Sequence, residues 1–348
     1  MIMKPTLLGQ TLDELKATAA AVGLRPFAAK QMAAWLYQRG ATDIEQMTDL
    51  PKRARAELAE RYELGRTAPI AEAHSSDGTA KFLFPGSAGR DVEAVYIPDR
   101  ERATLCVSSQ AGCRMGCRFC MTGQGGWQGN LSACQIINQV LSIPKSDTLT
   151  NIVFMGMGEP TDNLPAVLAA IEILTAPWGF GWSPKRITVS TIGNLQGLRE
   201  LLEKTKVHIA VSVHSPFGAE RADLMPIEKA YPLTDIVALL RNYDWSGQRR
   251  LSLEYTMFRG VNDDVRHARA LARLVKGIPV RVNLIRFHRT PGFEGEPAGD
   301  ETMVRFRDQL NADGVTATIR ASRGEDIFAA CGMLAGAQKQ QTDKKIQS

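Results

Sequence analysis

Apolar residues in the stretch ahead of Gly78 recur at helical spacing and predict three short helices. The first, Leu12 to Val22, opens on Thr11-Leu12-Asp13-Glu14, a threonine cap with glutamate three residues on that fits a capping box. The second runs from Pro26 to Arg39, with Phe27, Gln31, Trp35 and Leu36 on related turns. The third runs from Pro51 to Tyr62, where Pro51 suits a first helical position. A connection at His74 to Gly78 leads into Ala80 to Phe84, and Pro85 to Gly89 separates that run from Val92 to Ile97. The pair reads as a β-hairpin with a longer loop.

From Thr104 onward short β-branched or apolar runs alternate with helical ones. Strands are predicted at Thr104 to Ser108, Asn151 to Met157, Ile187 to Thr191, His208 to His214, Leu251 to Met257 and Val280 to Phe287. Helices fall near Ser132 to Leu141, Leu164 to Leu174, Leu195 to Glu203, Leu233 to Tyr243, Asp264 to Val275 and Thr302 to Ala312. Six such units in series argue for parallel strands with right-handed crossovers, closing into a barrel or part of one. Sites in such folds gather at the carboxyl ends of the strands. The expected class is α/β. A small helical accessory domain over 1–78 is followed by a β-hairpin connection over 79–98, a barrel core over 99–315, and a C-terminal strand, loop and tail over 316–348. The tail from Gly336, rich in Gln and Lys, reads as disordered.

Composition narrows the class without choosing a function. With 348 residues, 44% of them hydrophobic, the chain can bury a sizeable core. No run approaches the roughly 20 apolar residues of a membrane span, and the N-terminus carries charge where a signal peptide is apolar, so a cytoplasmic protein is expected. The net charge of +5 is only mildly basic. Between Arg241 and Thr290, however, 11 Lys and Arg face 4 Asp and Glu, densest at Arg249-Arg250 and along Arg281, Arg286 and Arg289. That block is a candidate for phosphate contacts, although a solvated surface explains it equally well.

Six cysteines are too few for a disulfide scaffold, and four fall within Cys106 to Cys120, which points to metal or redox chemistry. Cys113-Arg114-Met115-Gly116-Cys117-Arg118-Phe119-Cys120 follows the first barrel strand. Three thiolates at this spacing can each take one iron of a four-iron cluster and leave the fourth iron open. An open iron can chelate the amino and carboxylate groups of S-adenosylmethionine (SAM) and pass an electron to its sulfonium. A structural zinc site is the competing reading, but zinc usually takes four ligands in paired spacings and no second pair lies nearby. One unit later the second strand ends in Gly156-Met157-Gly158-Glu159-Pro160, where glycines would let the backbone approach the SAM amino group and Glu159 could accept from it. On their own, Cys106 in an apolar strand and Cys331 in Ala329-Ala330-Cys331-Gly332 read as buried structural cysteines, and Cys134 as core packing.

The order of these segments, with Leu105 to Gln110, Val211 to Ser215, Glu254-Tyr255, Gly260 to Asp263 and Arg323 to Gly332, resembles the RlmN/Cfr family of radical SAM RNA methyltransferases. The likeness runs from about Leu7 to Gly336 and is nearer the RlmN branch, given Gly158-Glu159-Pro160 and Arg323-Gly324. The resemblance implies a radical SAM partial (β/α)6 barrel that holds a 4Fe-4S cluster on Cys113, Cys117 and Cys120 and consumes two SAM per turnover. It implies methylation of carbon 2 of an adenosine in the peptidyl-transferase region of 23S rRNA, and of an adenosine beside the anticodon in some tRNAs. In the implied mechanism Cys331 carries a methyl group, Cys106 resolves the adduct through a transient disulfide, and Glu93 accepts a proton. Gly158, Glu159, Ser190, Ser212, Val213 and His214 match SAM-contacting positions. After Asn283-Leu284-Ile285 the family usually continues Pro-aromatic-Asn-Pro, whereas here Arg286-Phe287-His288-Arg289 puts His288 at the SAM-contacting asparagine. An electron donor such as flavodoxin and a monomeric state are expected. A Cfr-like enzyme acting at carbon 8, a radical SAM enzyme with a non-RNA substrate, and a zinc-stabilised RNA-binding module remain the alternatives.

Overall fold

In the computed structural model, which describes residues 4–86, 89–247 and 249–335, helix α1 (Leu12–Ala21) starts on the expected capping box. The Thr11 N–H donates to Glu14 Oε2 at 2.7 Å. The second predicted helix is not uniform. Helix α2 (Ala28–Ala33) passes into a π turn over Ala34–Gln38, closed by the Arg39 N–H on the Ala34 carbonyl. The wider turn brings Tyr37 inward, where its hydroxyl donates to the Gln10 carbonyl at 2.6 Å and its ring meets Trp178 and Phe180. Helix α3 (Lys52–Arg61) has Pro51 as its cap, one position earlier than expected. The three helices dock on the barrel through Gly9, whose φ is +88°; a Cβ there would lie 2.2 Å from the Cys134 nitrogen. Cys134 packs at this seam and donates its thiol to the Gly65 carbonyl at 3.3 Å.

A ten-stranded sheet follows. Strands β1 (Ala71–His74), β2 (Ala80–Pro85) and β3 (Asp91–Asp99) form an antiparallel apron that ends on β4 (Arg102–Cys106). The hairpin β2–β3 lies where the alternation predicted it. The sequence pattern does not anticipate strand β1, because its four residues are mostly exposed and carry no apolar alternation. A two-stranded ribbon, β5 (Gln110–Gly112) with β6 (Trp127–Asn130), frames the cysteine loop and helix α4 (Met121–Gln124).

Strand–helix units then repeat: α5 (Ala133–Leu141), β7 (Asn151–Phe154), α6 (Leu164–Thr175), β8 (Ile187–Thr191), α7 (Leu195–Lys204) and β9 (His208–Ser212). Helices α8 (Gly218–Leu224) and α9 (Leu233–Arg241) precede β10 (Leu251–Met257), α10 (Val265–Leu274), β11 (Val280–Arg286), α11 (Asp300–Ala312) and β12 (Thr316–Ile319). From β4 through β12 every neighbouring pair in the main sheet is parallel, and β1 and β12 are its edges, so the barrel is partial. Leu105, Ile152, Val189, Val211, Leu253 and Val282 are buried in its wall. Fully burying each such side chain contributes ~1.5–3 kcal/mol. After β12 the chain turns back across the mouth, and residues beyond 335, including the Gln- and Lys-rich tail, lie outside the described residues. Among the described residues no helix is long and apolar enough to cross a membrane.

The arginine block is less uniform than its charge suggests. Arg249 is buried, and its guanidinium donates to the Leu202 carbonyl and the Tyr243 hydroxyl at 3.0 Å and to the Thr205 carbonyl. It fastens the start of β10 to the end of α7, which removes it from the candidate phosphate contacts. Arg249→Leu is expected to lower stability by about 1–3 kcal/mol in urea unfolding by leaving those buried carbonyls unpaired. RNA affinity per folded molecule should stay unchanged in filter binding.

Candidate active site

The cysteine loop begins on a close approach. Gly112 has φ +74°, and a Cβ there would sit 1.9 Å from the Gly126 carbonyl oxygen, which itself accepts from the Cys113 N–H at 3.1 Å. A turn with the Cys120 N–H on the Cys117 carbonyl follows, and the Gln124 N–H on the Cys120 carbonyl continues into α4. The loop therefore holds all three thiols on one short arc. Burial pushes the Cys113 thiol up to about 12 and Cys117 well above its ordinary value, and the neighbouring cysteines add to both. Iron ligation has to displace these protons. Among the described residues no three His, Cys, Asp or Glu side chains converge closely enough to hold a single metal ion. A four-iron cluster makes no such demand, since each thiolate takes a different iron, and this donor set fits it.

Cys117 and Cys120 open onto a cavity of about 160 Å³ at the carboxyl ends of the strands, shared with Gly158, Glu159, Ser190, Ser212 and His214. Glu159 is buried and raised above the ordinary carboxylate range by that burial, against hydrogen bonds from Thr191, Thr161 and the Ile192 backbone. Its Oε1 accepts from the Thr161 N–H at 3.1 Å and its Oε2 from the Ile192 N–H at 3.0 Å. The glycines answer to packing as well as to the cavity. A Cβ on Gly156 would lie 2.7 Å from the Val107 carbonyl oxygen, and one on Gly158, with φ +97°, 2.5 Å from the Gln110 Cβ.

His214, two residues beyond β9, has φ +58°, a strained position for a residue with a side chain. Asn262 secures it, donating from Nδ2 to the His214 carbonyl at 2.5 Å, while Nδ1 accepts from the Thr256 N–H at 2.9 Å. The sequence reading missed Arg221. It is fully buried, ion-paired with Glu228, and donates to the carbonyls of Ile192 and Ser212 at 3.0 Å and Val213 at 3.2 Å. This one cation ties the ends of β8 and β9 together beneath the cavity. Val213 is buried against it and lies outside the cavity lining.

A second cavity of about 530 Å³ adjoins the first. It is lined by Arg102, Arg286, His288, Arg320 and Arg323 with Asp99, and Cys331 faces both cavities. His288 lies in this larger cavity, its Nδ1 3.1 Å from Glu325 Oε1, and not among the residues lining the smaller one. Cys331 is exposed to these spaces, yet the protein mass around it pushes its thiol up, with Arg320 opposing. Cys106 is buried behind it and pushed up to about 12 by that burial and by Cys331. Arg320, also missed, donates to Glu254 Oε2 at 3.3 Å, while Glu254 Oε1 accepts from Asn283 Nδ2 at 2.8 Å. Its signal was available: a basic residue at the carboxyl end of a barrel strand. Glu93 is buried, 3.1 Å from Lys81 Nζ, and its Oε2 accepts from the Ala335 N–H at 3.0 Å.

Residues 107–272 match the family model of the radical SAM superfamily, and residues 6–64 that of the ribosomal RNA large subunit methyltransferase N-terminal domain. The crystal structure of a radical SAM methyltransferase from Sphaerobacter thermophilus superposes with a TM-score of 0.89 at 40% identity, covering 95% of this chain and 99% of that one. The barrel and its thiol loop are thus those of a radical SAM enzyme, a class that uses a 4Fe-4S cluster and SAM. A Bacteroides thetaiotaomicron protein described as a probable dual-specificity RNA methyltransferase RlmN is 54% identical over 99% of this chain and 100% of its own length. An Anaeromyxobacter protein named dual-specificity RNA methyltransferase RlmN is 41% identical over 95% and 91%. The chain belongs to the RlmN family of radical SAM methyltransferases.

Burial, with Arg221 nearby, lowers the His214 imidazole to about 3. Between that value and the ordinary 6.5 the unfolded chain binds the extra proton, so stability falls as pH drops through this window. Urea midpoints should decline more steeply from pH 6.5 toward 3 in the wild type than in His214→Asn, whose side chain tolerates the left-handed backbone.

Proposed function

We propose that this enzyme methylates carbon 2 of adenine in RNA, acting on an adenosine of the peptidyl-transferase region of 23S rRNA and on one beside the anticodon of tRNAs. The dual-specificity RNA methyltransferase names of its relatives support the RNA substrate. The observation that carries the reading is the place of Cys331, a thiol facing both the cysteine-loop cavity and the larger, arginine-lined one. The larger cavity takes the target nucleotide, with Arg102, Arg286 and Arg323 positioned for its phosphates and His288 serving the nucleotide rather than SAM. The helical unit over 1–78 acts as an RNA-binding accessory domain joined by the 79–98 hairpin, ahead of the 99–315 core and the 316–348 thiol segment. The enzyme works in the cytoplasm as a monomer, with an electron donor such as flavodoxin.

Carbon 2 of adenine is electron-poor and not nucleophilic enough to take a methyl group from SAM directly. Cys113, Cys117 and Cys120 would hold the 4Fe-4S cluster, which together with SAM supplies a 5′-deoxyadenosyl radical. Gly158, Glu159, Ser190, Ser212 and His214 line the SAM side, and Val213 backs it from outside the cavity. Cys331 first acts as a thiolate nucleophile and takes a methyl group from one SAM. The thioether on Cys331 would then lose a hydrogen to the radical that a second SAM supplies, and the Cys331 methylene radical would add to the ring. Glu93 accepts the proton from the adduct. As the carbon–sulfur bond breaks, Cys106, behind Cys331, joins its sulfur in a transient disulfide; the Cys106 thiol proton completes the methyl of the released base, and the one electron left on the disulfide passes to the redox partner.

Peptide mass spectrometry should find methyl on Cys331 in wild-type protein, and Cys331→Ala should neither gain it nor modify RNA. Cys106→Ala should keep the methyl, start the radical step and accumulate RNA joined to Cys331, a slow band that ribonuclease collapses. Wild-type turnover in Cys106→Ala would overturn the mechanism, and 8-methyladenosine in digested RNA would move the product to carbon 8. Anaerobically purified enzyme should contain about four irons per chain, and Cys117→Ala should lose iron and SAM cleavage together.

A further inference from the structure

The loop that carries Cys331 has no regular secondary structure beyond one 3-10 turn at Glu325–Ile327. Contacts from elsewhere hold it: the Met121 N–H donates to the Gly332 carbonyl at 2.8 Å and the Thr122 hydroxyl to the Leu334 carbonyl at 2.6 Å, and a second set grips it further out on either side of the thiol. On one flank Phe328, three residues before Cys331, adopts φ +53°, a left-handed conformation that a side-chain-bearing residue holds only at a cost. Its carbonyl accepts from Lys81 Nζ at 3.2 Å. On the other flank the Ala335 N–H, four residues after Cys331, donates to Glu93 Oε2 at 3.0 Å. Lys81 Nζ lies 3.1 Å from Glu93 Oε1, so one ion pair grips the chain on both sides of the thiol.

The sheet explains why these two residues meet. Lys81 lies opposite Val95 across the β2–β3 ladder, and Glu93 is two residues along from Val95, so both side chains project from the same face as diagonal neighbours. Cys106 lies opposite Val95 from the other side and shares that face. The lysine side chain is only 11% exposed and the glutamate 4%, which sets the pair apart from the exposed ion pairs of the surface.

We propose that Lys81 is a positioning residue that, through Glu93, clamps the chain on both sides of Cys331 and holds its thiol at the wall between the two cavities. The inference rests on Cys331 being the methyl carrier. It adds a task to Glu93: the same carboxylate that takes the substrate proton anchors the loop at Ala335. It also assigns Lys81, which touches neither cavity, a share in keeping radical formation coupled to methyl transfer.

Hydrogen exchange of full-length enzyme with its cluster in place, read on peptides covering 328–335, tests the clamp. Lys81→Met should raise exchange there about tenfold while β10 and β11 stay protected. It should also raise 5′-deoxyadenosine formed per RNA methyl by about tenfold, as expected for a thiol displaced by an ångström or so. Lys81→Arg, which keeps the cation, should restore both readings. Lys81→Met leaves Glu93 without its counter-ion and can unfold the apron, so Ala335→Pro, which deletes the N–H that donates to Glu93 and leaves the Lys81–Glu93 pair in place, serves as a second variant with the same expected rise in exchange. Unchanged exchange in both variants, or a wild-type coupling ratio in Lys81→Met despite raised exchange, overturns the proposal. The functional reading fails separately, through absence of methyl on Cys331 in wild-type peptides.

Discussion

The mouth of this barrel depends on the register of one short strand. β4 is the junction where the antiparallel apron meets the parallel strands, pairing with β3 on one side and β7 on the other. Cys106 stands opposite Val95 and Val153, and alternation along the same strand puts Arg102 and Thr104 on its face, where both line the larger cavity. A slip of one residue would turn Cys106 to the opposite face and remove it from behind Cys331. The tight contacts beyond β4 hold this register: Gly156 and Gly158 let the end of β7 lie against Val107 and Gln110, where any side chain would collide.

Charge inside the apolar wall is permitted only where every charged group is engaged. Arg221 answers Glu228 and four carbonyls, Arg320 answers Glu254, and Glu159 is held by donors from Thr161 and Ile192. Breaking one partner of such a pair leaves an uncompensated buried charge, a cost of about 3–5 kcal/mol. These groups therefore serve stability and geometry together. The thiols follow the same physics: burial keeps Cys106 and Cys113 protonated at neutral pH, so a thiolate forms where a cation or a metal favours it. Arg320 is the cation beside Cys331, where it opposes the burial that raises the thiol.

The two cavities differ in chemistry in the way the proposed reaction requires. The smaller is lined by serine hydroxyls, a neutral imidazole, cysteine thiols and the carboxylates of Glu159 and Glu254, the larger by Arg102, Arg286 and Arg323, and Arg320 reaches both. A thiol at their shared wall can receive a group on one side and deliver it on the other. The return of the chain after β12 completes that wall, using a segment with almost no regular structure.

Much of this was legible in the sequence. Alternation and helical spacing located the β2–β3 hairpin and the strand–helix series, because each element buries one face and its period records that burial. The C-x3-C-x2-C spacing sufficed for the thiol loop, since its three donors lie within eight residues. Local pattern failed where long-range contacts decide: exposed β1, the π turn that seats Tyr37, and the burial of Arg249 within an arginine-rich block. Arg221, Arg320 and Lys81 look like surface cations along the chain and acquire their partners only when β8, β9, β10 and the apron are assembled. The chain alone determined which chemistry is present. Only the tertiary structure decided that Cys106 and Cys331, 225 positions apart in the sequence, lie next to each other, because a parallel ladder and a returning loop set that proximity and neither leaves a local sequence signal.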